Sequence, residues 1–230
     1  GIPTDNTNYI TVSVDVSNTG YYMISTDTVN GVYFYASGSF SSTGVQPVTL
    51  YANGTPLNAS PYPFDYHLFN STGTNNCSFT VDVTGDYIVC DIDGQRVFFN
   101  MGTNSLDPTA SATLLAISGF PILSIKGYST LGNSFPSINI KLNNASNTIG
   151  VGTYTTLSVP SNGFLTCDYL DAINNNFVIA PNPNSTTPAF TLNITNSLVR
   201  YQGTFSGILQ NASGTGTVTI TNGVFDIPFR

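Results

Sequence analysis

The sequence predicts an all-β protein with two domains, and three observations support this prediction. All twelve acidic residues are aspartate, and lysine and arginine together contribute only five residues. Glu, Lys and Arg favour helices, whereas Thr, Val, Tyr, Phe and Ile favour strands. Short runs along the chain alternate between apolar and polar residues, as half-buried strands do. Clusters of Asn, Gly, Pro and Ser separate these runs and predict turns.

The N-terminal strands have the clearest patterns. Residues 9–16 alternate strictly and place Ile10, Val12 and Val14 on one face of a strand. Similar alternation predicts strands at residues 31–40, 46–52 and 77–83. Turn formers such as Asn30-Gly31 lie between them. About 85 residues with several short strands and regular turns fit an immunoglobulin-like β-sandwich.

A short polar break around Gly85 separates two parts with different strand composition, so we place the domain boundary there. Residues 1–85 form the predicted immunoglobulin-like β-sandwich. Residues 86–230 contain about ten further predicted strands, which fit either a larger β-sandwich or a lipocalin-like, partly open barrel. Residues 87–101 predict a hairpin that turns at Asp93-Gly94. The one candidate helix is residues 107–115, where Asp107 would cap the first turn.

The charge composition excludes several classes of partner. Only 7% of residues are charged and the net charge is −7, so the chain has no basic patch for nucleic acid. No apolar run approaches the roughly 20 residues of a transmembrane segment.

A polar surface made of Asn, Ser, Thr, Gly and Tyr is typical of exported proteins. We therefore expect a removed signal or a lipid-anchor segment upstream of Gly1.

Residues that support catalysis or metal binding are scarce. The only histidine is His67, which we interpret as a structural residue in a loop or at a strand end, and no G-x-S-x-G motif accompanies it. Two aspartate pairs, Asp91 with Asp93 and Asp168 with Asp171, are interpreted as hairpin and turn residues rather than as a glycosidase pair or a calcium site. We predict no catalytic residue, no cofactor site and no metal site.

The three cysteines are too few and too unevenly spaced for a disulfide scaffold or a zinc site. Each lies in an apolar alternation, so we expect three buried free thiols. A single bridge is the alternative, and our domain assignment allows only Cys90 with Cys167 because Cys77 belongs to the first domain.

Two stretches resemble known bacterial families. Asn30 to Phe40, continued by Gln46 to Leu50, by Asn53-Gly54-Thr55-Pro56 and by Cys77 to Val81, resembles an immunoglobulin-like module repeated in exported surface proteins of Bacteroidetes-type bacteria. The second part resembles an uncharacterised β-rich module of outer-membrane lipoproteins from the same bacteria, through Cys90 to Gly94, Gly152 to Tyr154, Gly203 to Gly207 and Asn222 to Phe229. The resemblance implies a cell-surface, outer-membrane or secreted location and an adhesive, structural or glycan-handling role. It implies no catalytic residue.

Tyrosine is the surface residue that we expect to contact a ligand. The chain has thirteen tyrosines and no tryptophan. Tyr33 and Tyr35 point away from the apolar face of their strand, and Tyr21 and Tyr22 lie just upstream. Exposed tyrosine suits sugar stacking or protein contact. The leading hypothesis is a non-enzymatic adhesive or structural module whose partner is a cell-envelope protein or glycan; the alternative is a glycan-binding accessory protein of a polysaccharide-uptake system.

Overall fold

The computed structural model of the protein describes residues 2–69, 75–104, 107–117, 120–129, 135–144, 148–159, 163–180 and 188–229. Within these ranges the chain forms nineteen strands and no helix, which confirms the all-β class. It divides into two compact units, Gly1–Thr84 and Gly85–Arg230, one residue from the boundary expected at Gly85. Each unit has its own cluster of buried apolar side chains, and the two clusters share no residue.

The first unit is a single antiparallel sheet of six strands. Their bounds are β1 Tyr9–Val16, β2 Gly20–Thr26, β3 Val32–Phe40, β4 Gly44–Gly54, β5 Phe64–Phe69 and β6 Asn75–Val81. In the sheet they lie in the order β1-β4-β3-β2-β5-β6. Among the described residues, the pairing between β2 and β5 places Ser25 opposite Phe69 and Thr26 opposite Leu68. We had not predicted β2 or β5 from the sequence.

An aromatic cluster shows that this sheet curls over its own core. The ring centroids of Phe34 on β3 and Phe79 on β6 lie 5.4 Å apart. These strands are separated by two others, so in a flat sheet they would be about 14 Å apart. Tyr66 on β5 completes the cluster, 5.3 Å from Phe34 and 5.4 Å from Phe79. The sandwich-like layering therefore comes from one curved sheet whose two halves face each other.

The second unit contains the other thirteen strands in one antiparallel sheet. Their bounds are β7 Tyr87–Ile92, β8 Gln95–Phe98, β9 Met101–Asn104, β10 Asp107–Thr109, β11 Ser111–Ile117, β12 Phe120–Tyr128, β13 Ser137–Asn143, β14 Gly152–Thr155, β15 Phe164–Leu170, β16 Asn176–Ile179, β17 Phe190–Asn196, β18 Arg200–Asn211 and β19 Thr217–Pro228. The main path runs β10-β9-β12-β13-β15-β16-β18-β19-β7-β8, with β11 on β12, β17 on β18 and β14 on β17. An isolated parallel bridge joins Ala112 on β11 to Phe229, just past β19. Strands that are distant in this order therefore meet, and the curled sheet has the character of a partly open barrel.

Two predicted turns, one with an Asn-Gly pair and one with an Asp-Gly pair, form in the structure. Asn30 and Gly31 have φ angles of 51° and 78°, and Asp93 and Gly94 have φ angles of 49° and 81°. Positive φ at both central residues produces the tight turn that matches the twist of a hairpin. The second turn joins β7 to β8.

The predicted helix at residues 107–115 is wrong. This stretch forms β10 and β11 instead, and β11 pairs with β12 from Ser111 opposite Lys126 to Ile117 opposite Phe120. Ala112 and Ala110 are fully buried while Ser111 between them is half-buried, which is a strand alternation. The weak local capping signal was overridden by long-range pairing with β12.

Three phenylalanines in the second unit lie directly across from glycines on neighbouring strands. The pairs are Phe190 with Gly207, Phe225 with Gly203, and Phe205 with Gly223. A Cβ atom added at any of these glycines would collide with the ring of its partner and with nearby backbone atoms. Each ring covers a bare stretch of backbone, so the sheet can bend tightly around a filled core.

Candidate functional site

An exposed row of tyrosines crosses the outer face of the first sheet. In the strand register Tyr9 on β1 lies opposite Tyr51 on β4, and Tyr51 lies opposite Tyr35 on β3. The rings of Tyr9 and Tyr51 are 6.2 Å apart at an angle of 60°. Tyr33 stands two residues from Tyr35 and therefore on the same face. We call Tyr9, Tyr51, Tyr35 and Tyr33 the tyrosine row.

Alternation along each strand produces this row. On β3 the buried residues Val32 and Phe34 face the core, so Tyr33 and Tyr35 face outward, as the sequence predicted. Tyr9 and Tyr51 complete the row and were missed, because their position depends on the pairing of β1 with β4. The fractional exposure of the four side chains ranges from 37% for Tyr35 to 57% for Tyr9.

The other two predicted contact residues, Tyr21 and Tyr22, are separated by the sheet. Tyr21 is 96% exposed and lies on the same face as the row, opposite Ser39 on β3. Ser39 is four residues beyond Tyr35, so Tyr21 lies about 13 Å along the strand direction. Tyr22 lies on the core side, where its ring stacks on Phe40 at 4.4 Å. Of the four predicted residues, the structure therefore brings only Tyr33 and Tyr35 together.

The row forms a neutral patch. It spans three neighbouring strands, which is about 10 Å at the usual strand spacing. Each ring offers an apolar face and a hydroxyl group, and none of the four side chains carries a charge at neutral pH. Such a patch stacks on flat or apolar ligand surfaces and orients them by hydrogen bonds, with little loss of side-chain entropy.

His67 lies inside β5 rather than in a loop or at a strand end. Its Nδ1 atom lies 2.9 Å from Oδ2 of Asp27, and the Oδ1 atom of Asp27 accepts a hydrogen bond from the backbone N–H of His67 at 2.8 Å. The backbone N–H of Asp27 in turn donates to the carbonyl of His67. Asp27 thus fastens the end of β2 to β5, beside the pairing of these strands.

Ser78 lies directly opposite His67 in the register of β5 with β6, so an Asp, a His and a Ser are neighbours on one face. No hydrogen bond joins Ser78 to the imidazole within the described part of the chain. A Ser-His-Asp triad needs this bond or one near it, together with an oxyanion hole. The hydrogen bonds by which Asp27 joins the end of β2 to β5 account for the positions of His67 and Asp27, so a catalytic role is not needed to explain them.

Three aspartates of the second unit, Asp91, Asp93 and Asp171, stabilise turns and strand ends, whereas Asp168 lies inside β15 rather than in the predicted turn. Asp91 accepts hydrogen bonds from Nε of Arg96 at 2.8 Å and from Nδ2 of Asn222 at 2.8 Å, and these two partners lower the pKa of its carboxyl group. Burial opposes ionisation of Asp171, but hydrogen bonds from Asn175 and Ile173 prevail and lower its pKa. Asp93 accepts a bond from the backbone of Thr219 at 2.7 Å.

All three cysteines are free. Cys90 and Cys167 are fully buried in the second core, as expected. Burial, and secondarily the charge of Asp91, raises the pKa of Cys90 to about 12, and burial raises that of Cys167 well above its ordinary value. Both thiols therefore stay protonated and unreactive. The expectation that Cys77 is buried is wrong: it is exposed because it lies near the start of the edge strand β6.

The described residues contain no group of three or more His, Cys, Asp or Glu side chains that could hold a metal ion. Over the same residues, no helix is long and apolar enough to cross a membrane. Comparison with known proteins finds no matching family model, no matching curated protein and no matching solved structure.

Proposed function

We propose that this protein is a non-enzymatic adhesive module of a cell envelope, and that the tyrosine row of its first unit makes the adhesive contact. The proposal is based on the strand register, which aligns Tyr9, Tyr51 and Tyr35 across three strands and leaves Tyr33 beside them. Exposed aromatic side chains in one contiguous patch are a common feature of interaction surfaces.

The charge distribution supports adhesion through aromatic contact rather than through ions. Among the described cations, Arg96 is paired with Asp91, and Arg200 is paired with Asp86 and Asp226. The chain has no tryptophan. Arginine and tryptophan are the usual hot-spot residues besides tyrosine, so tyrosine is the main anchor that this surface offers.

The exported location is part of the same proposal. A chain with 7% charged residues and much Asn, Ser and Thr is typical of exported proteins, and the resemblance to Bacteroidetes-type surface modules implies the same compartment. The second candidate function is a glycan-binding accessory protein of a polysaccharide-uptake system. It would use the same tyrosine row with a sugar ring stacked on it.

The test measures retention of the full chain on immobilised bacterial envelope fractions. We expect Tyr51→Ala to weaken binding by about fivefold, because Tyr51 is the centre of the row and one stacking contact contributes about 1 kcal/mol. Thr11→Ala is the matched control, since Thr11 is exposed on the neighbouring strand β1 and lies outside the row. Equal binding of Tyr51→Ala and the parent would contradict the proposal.

Treatment of the envelope fraction separates the two candidate functions. Loss of binding after protease digestion, with periodate-oxidised fractions still binding, supports adhesion to a surface protein. Loss after periodate oxidation alone supports the glycan-binding function, because periodate cleaves vicinal diols of sugars. In either case the effect of Tyr51→Ala tests the row itself.

A further inference from the structure

A groove of about 480 Å³ crosses the outer face of the second sheet, away from the buried core. Two neighbouring cross-strand rows form it. One row consists of Lys126 on β12, Asn139 on β13 and Asp168 on β15. The parallel row consists of Tyr128, Ser137, Leu170 and Asn176 on the same strands and β16, and Phe135 also lines the groove. The volume lies within the range of about 300–1,000 Å³ that is usual for small-molecule sites.

The alternation of each strand shows that this face is not core. Ile125, Ile140 and Cys167 are fully buried on the opposite side, next in sequence to the three residues of the first row. Lys126, Asn139 and Asp168 are half-buried. The groove therefore holds partly desolvated polar groups, which form stronger hydrogen bonds with a ligand than fully exposed groups do.

The polar atoms of the groove have unused hydrogen-bonding capacity. The Oδ1 atom of Asn139 accepts a hydrogen bond from Ser124 at 2.9 Å, and its NH₂ group donates to no described residue. The carboxylate of Asp168 takes part in no hydrogen bond or ion pair with the part of the chain that is described. Ser137 is only 4% exposed, yet its hydroxyl group has no protein partner among those residues. Buried polar groups are rarely left in this state without a ligand or water.

The charges in the groove balance. Among the described lining residues, Lys126 is the one cation and Asp168 the one anion, and Asn139 separates them in the row. At the usual strand spacing their backbones are about 10 Å apart, and they form no ion pair with each other. The ammonium group of Lys126 lies 5.1 Å from the ring centroid of Tyr128 instead. A neutral ligand that both accepts and donates hydrogen bonds fits this arrangement.

We propose that this groove binds a neutral sugar unit of a polysaccharide. A pyranose ring has adjacent hydroxyl groups that can donate to both oxygens of Asp168 while accepting from Asn139 and Lys126. It also has an apolar C–H face, and the half-exposed ring of Phe135, with Leu170, supplies an apolar wall for it. The inference rests on residues of the second unit only and does not depend on the tyrosine row.

The test uses the full chain in affinity electrophoresis through gels that contain a soluble β-glucan, mannan, xylan or galactan. We expect at least one of these neutral polymers to retard the protein. Asp168→Asn keeps the shape of the side chain but removes half of its acceptors, and we expect it to weaken binding by about tenfold or more. Asn139→Ala should weaken the same interaction. Thr166→Ala is the control, because Thr166 is exposed on the same face of β15 outside the groove.

Several outcomes would overturn the inference. One is no retardation by any of the four polymers, and another is unchanged retardation in both Asp168→Asn and Asn139→Ala. A fifth gel contains a polyuronate, and retardation in this gel alone, lost at high salt, would show an anionic ligand instead. Thermal unfolding of each variant checks that the fold is intact. Loss of polymer binding in Tyr51→Ala but not in Asp168→Asn would assign the sugar to the tyrosine row and overturn the assignment to the groove.

Discussion

The outer faces of the two sheets differ in chemistry although both belong to antiparallel all-β units. The first face presents the tyrosine row, a neutral aromatic patch without charged members. The second face presents a groove with one lysine, one aspartate and an asparagine between them. The first arrangement suits a broad contact with an extended surface, and the second suits a single small polar unit. Strand alternation determines which side chains face outward, but the cross-strand neighbours determine what each face can bind.

The cores differ in a related way. The first unit is filled by a compact aromatic cluster around Phe34, and the second is filled by aliphatic side chains together with phenylalanines placed over glycines. We first predict how a core substitution shows whether the two cores are separate. We then predict the effects of changing a phenylalanine-glycine pair and a hydrogen-bonded aspartate in the second unit.

The largest expected effect is that of Phe34→Ala. Removing a buried phenylalanine from a filled core costs about 3–5 kcal/mol, so the first unit should lose most of its stability. Amide hydrogen exchange should show reduced protection throughout Gly1–Thr84 and unchanged protection in Gly85–Arg230. Tyr35→Ala, one position further on the same strand but facing outward, is the control. A matching loss of protection in the second unit would show that the two cores are not separate.

A smaller effect is expected for Gly203→Ala in the second unit. The added Cβ atom would meet the backbone carbonyl of Asn193 and the ring of Phe225, and overpacking of this kind costs about 1–3 kcal/mol. Gly150→Ala is the matched control, since nothing lies within 4 Å of the position of its Cβ atom. Thermal unfolding should show a clearly lower midpoint for Gly203→Ala alone. Similar midpoints for the two variants would refute the role assigned to the phenylalanine-glycine pairs.

The smallest stability effect concerns Asp91. Removing its carboxylate in Asp91→Ala breaks hydrogen bonds from Arg96 and Asn222, and should cost about 1 kcal/mol, less than the roughly 1.5–3 kcal/mol typical of hydrogen bonds to charged groups. The Arg96 side chain is 37% exposed, so solvent screens the pair. Because the folded pKa of Asp91 is lowered, its contribution is present above about pH 4, the unfolded value, and is lost as the pH falls through the folded pKa.

Denaturant unfolding measured between neutral and strongly acidic pH checks this sign. The free energy of unfolding of the parent should fall more steeply below about pH 4 than that of Asp91→Ala, because the variant has no carboxylate to protonate. Parallel curves for the two proteins would show that Asp91 does not contribute to acid sensitivity.

Local sequence signals predicted the fold class and part of the first site. Strict alternation located β1 and β3 and the outward direction of Tyr33 and Tyr35. The Asn30-Gly31 and Asp93-Gly94 dipeptides located tight turns because only residues that tolerate positive φ occupy them. These features depend on neighbours in sequence, so a single chain is enough to find them.

Features that depend on pairing between distant strands could not be predicted. Tyr9 and Tyr51 are neighbours only because β1 pairs with β4. The sequence of a single strand does not determine its register with a partner strand. The groove depends on two consecutive registers, β12 with β13 and β13 with β15, which align Lys126, Asn139 and Asp168. The prediction of a helix at residues 107–115 failed for the same reason, because pairing with β12 prevailed over local helix propensity.

We propose that adhesion occurs through an uncharged aromatic face, and the salt dependence of binding distinguishes such a contact from an ionic one. Binding of the parent and of a Tyr9→Ala/Tyr51→Ala double variant to envelope fractions should be measured from about 0.05 M to about 1 M salt, where the screening length falls from above about 10 Å to about 3 Å. The account predicts that parent affinity changes by less than about twofold over this range, whereas the double variant binds at least about tenfold more weakly at every salt concentration. Collapse of parent binding at high salt, or equal binding of the two proteins, would contradict it.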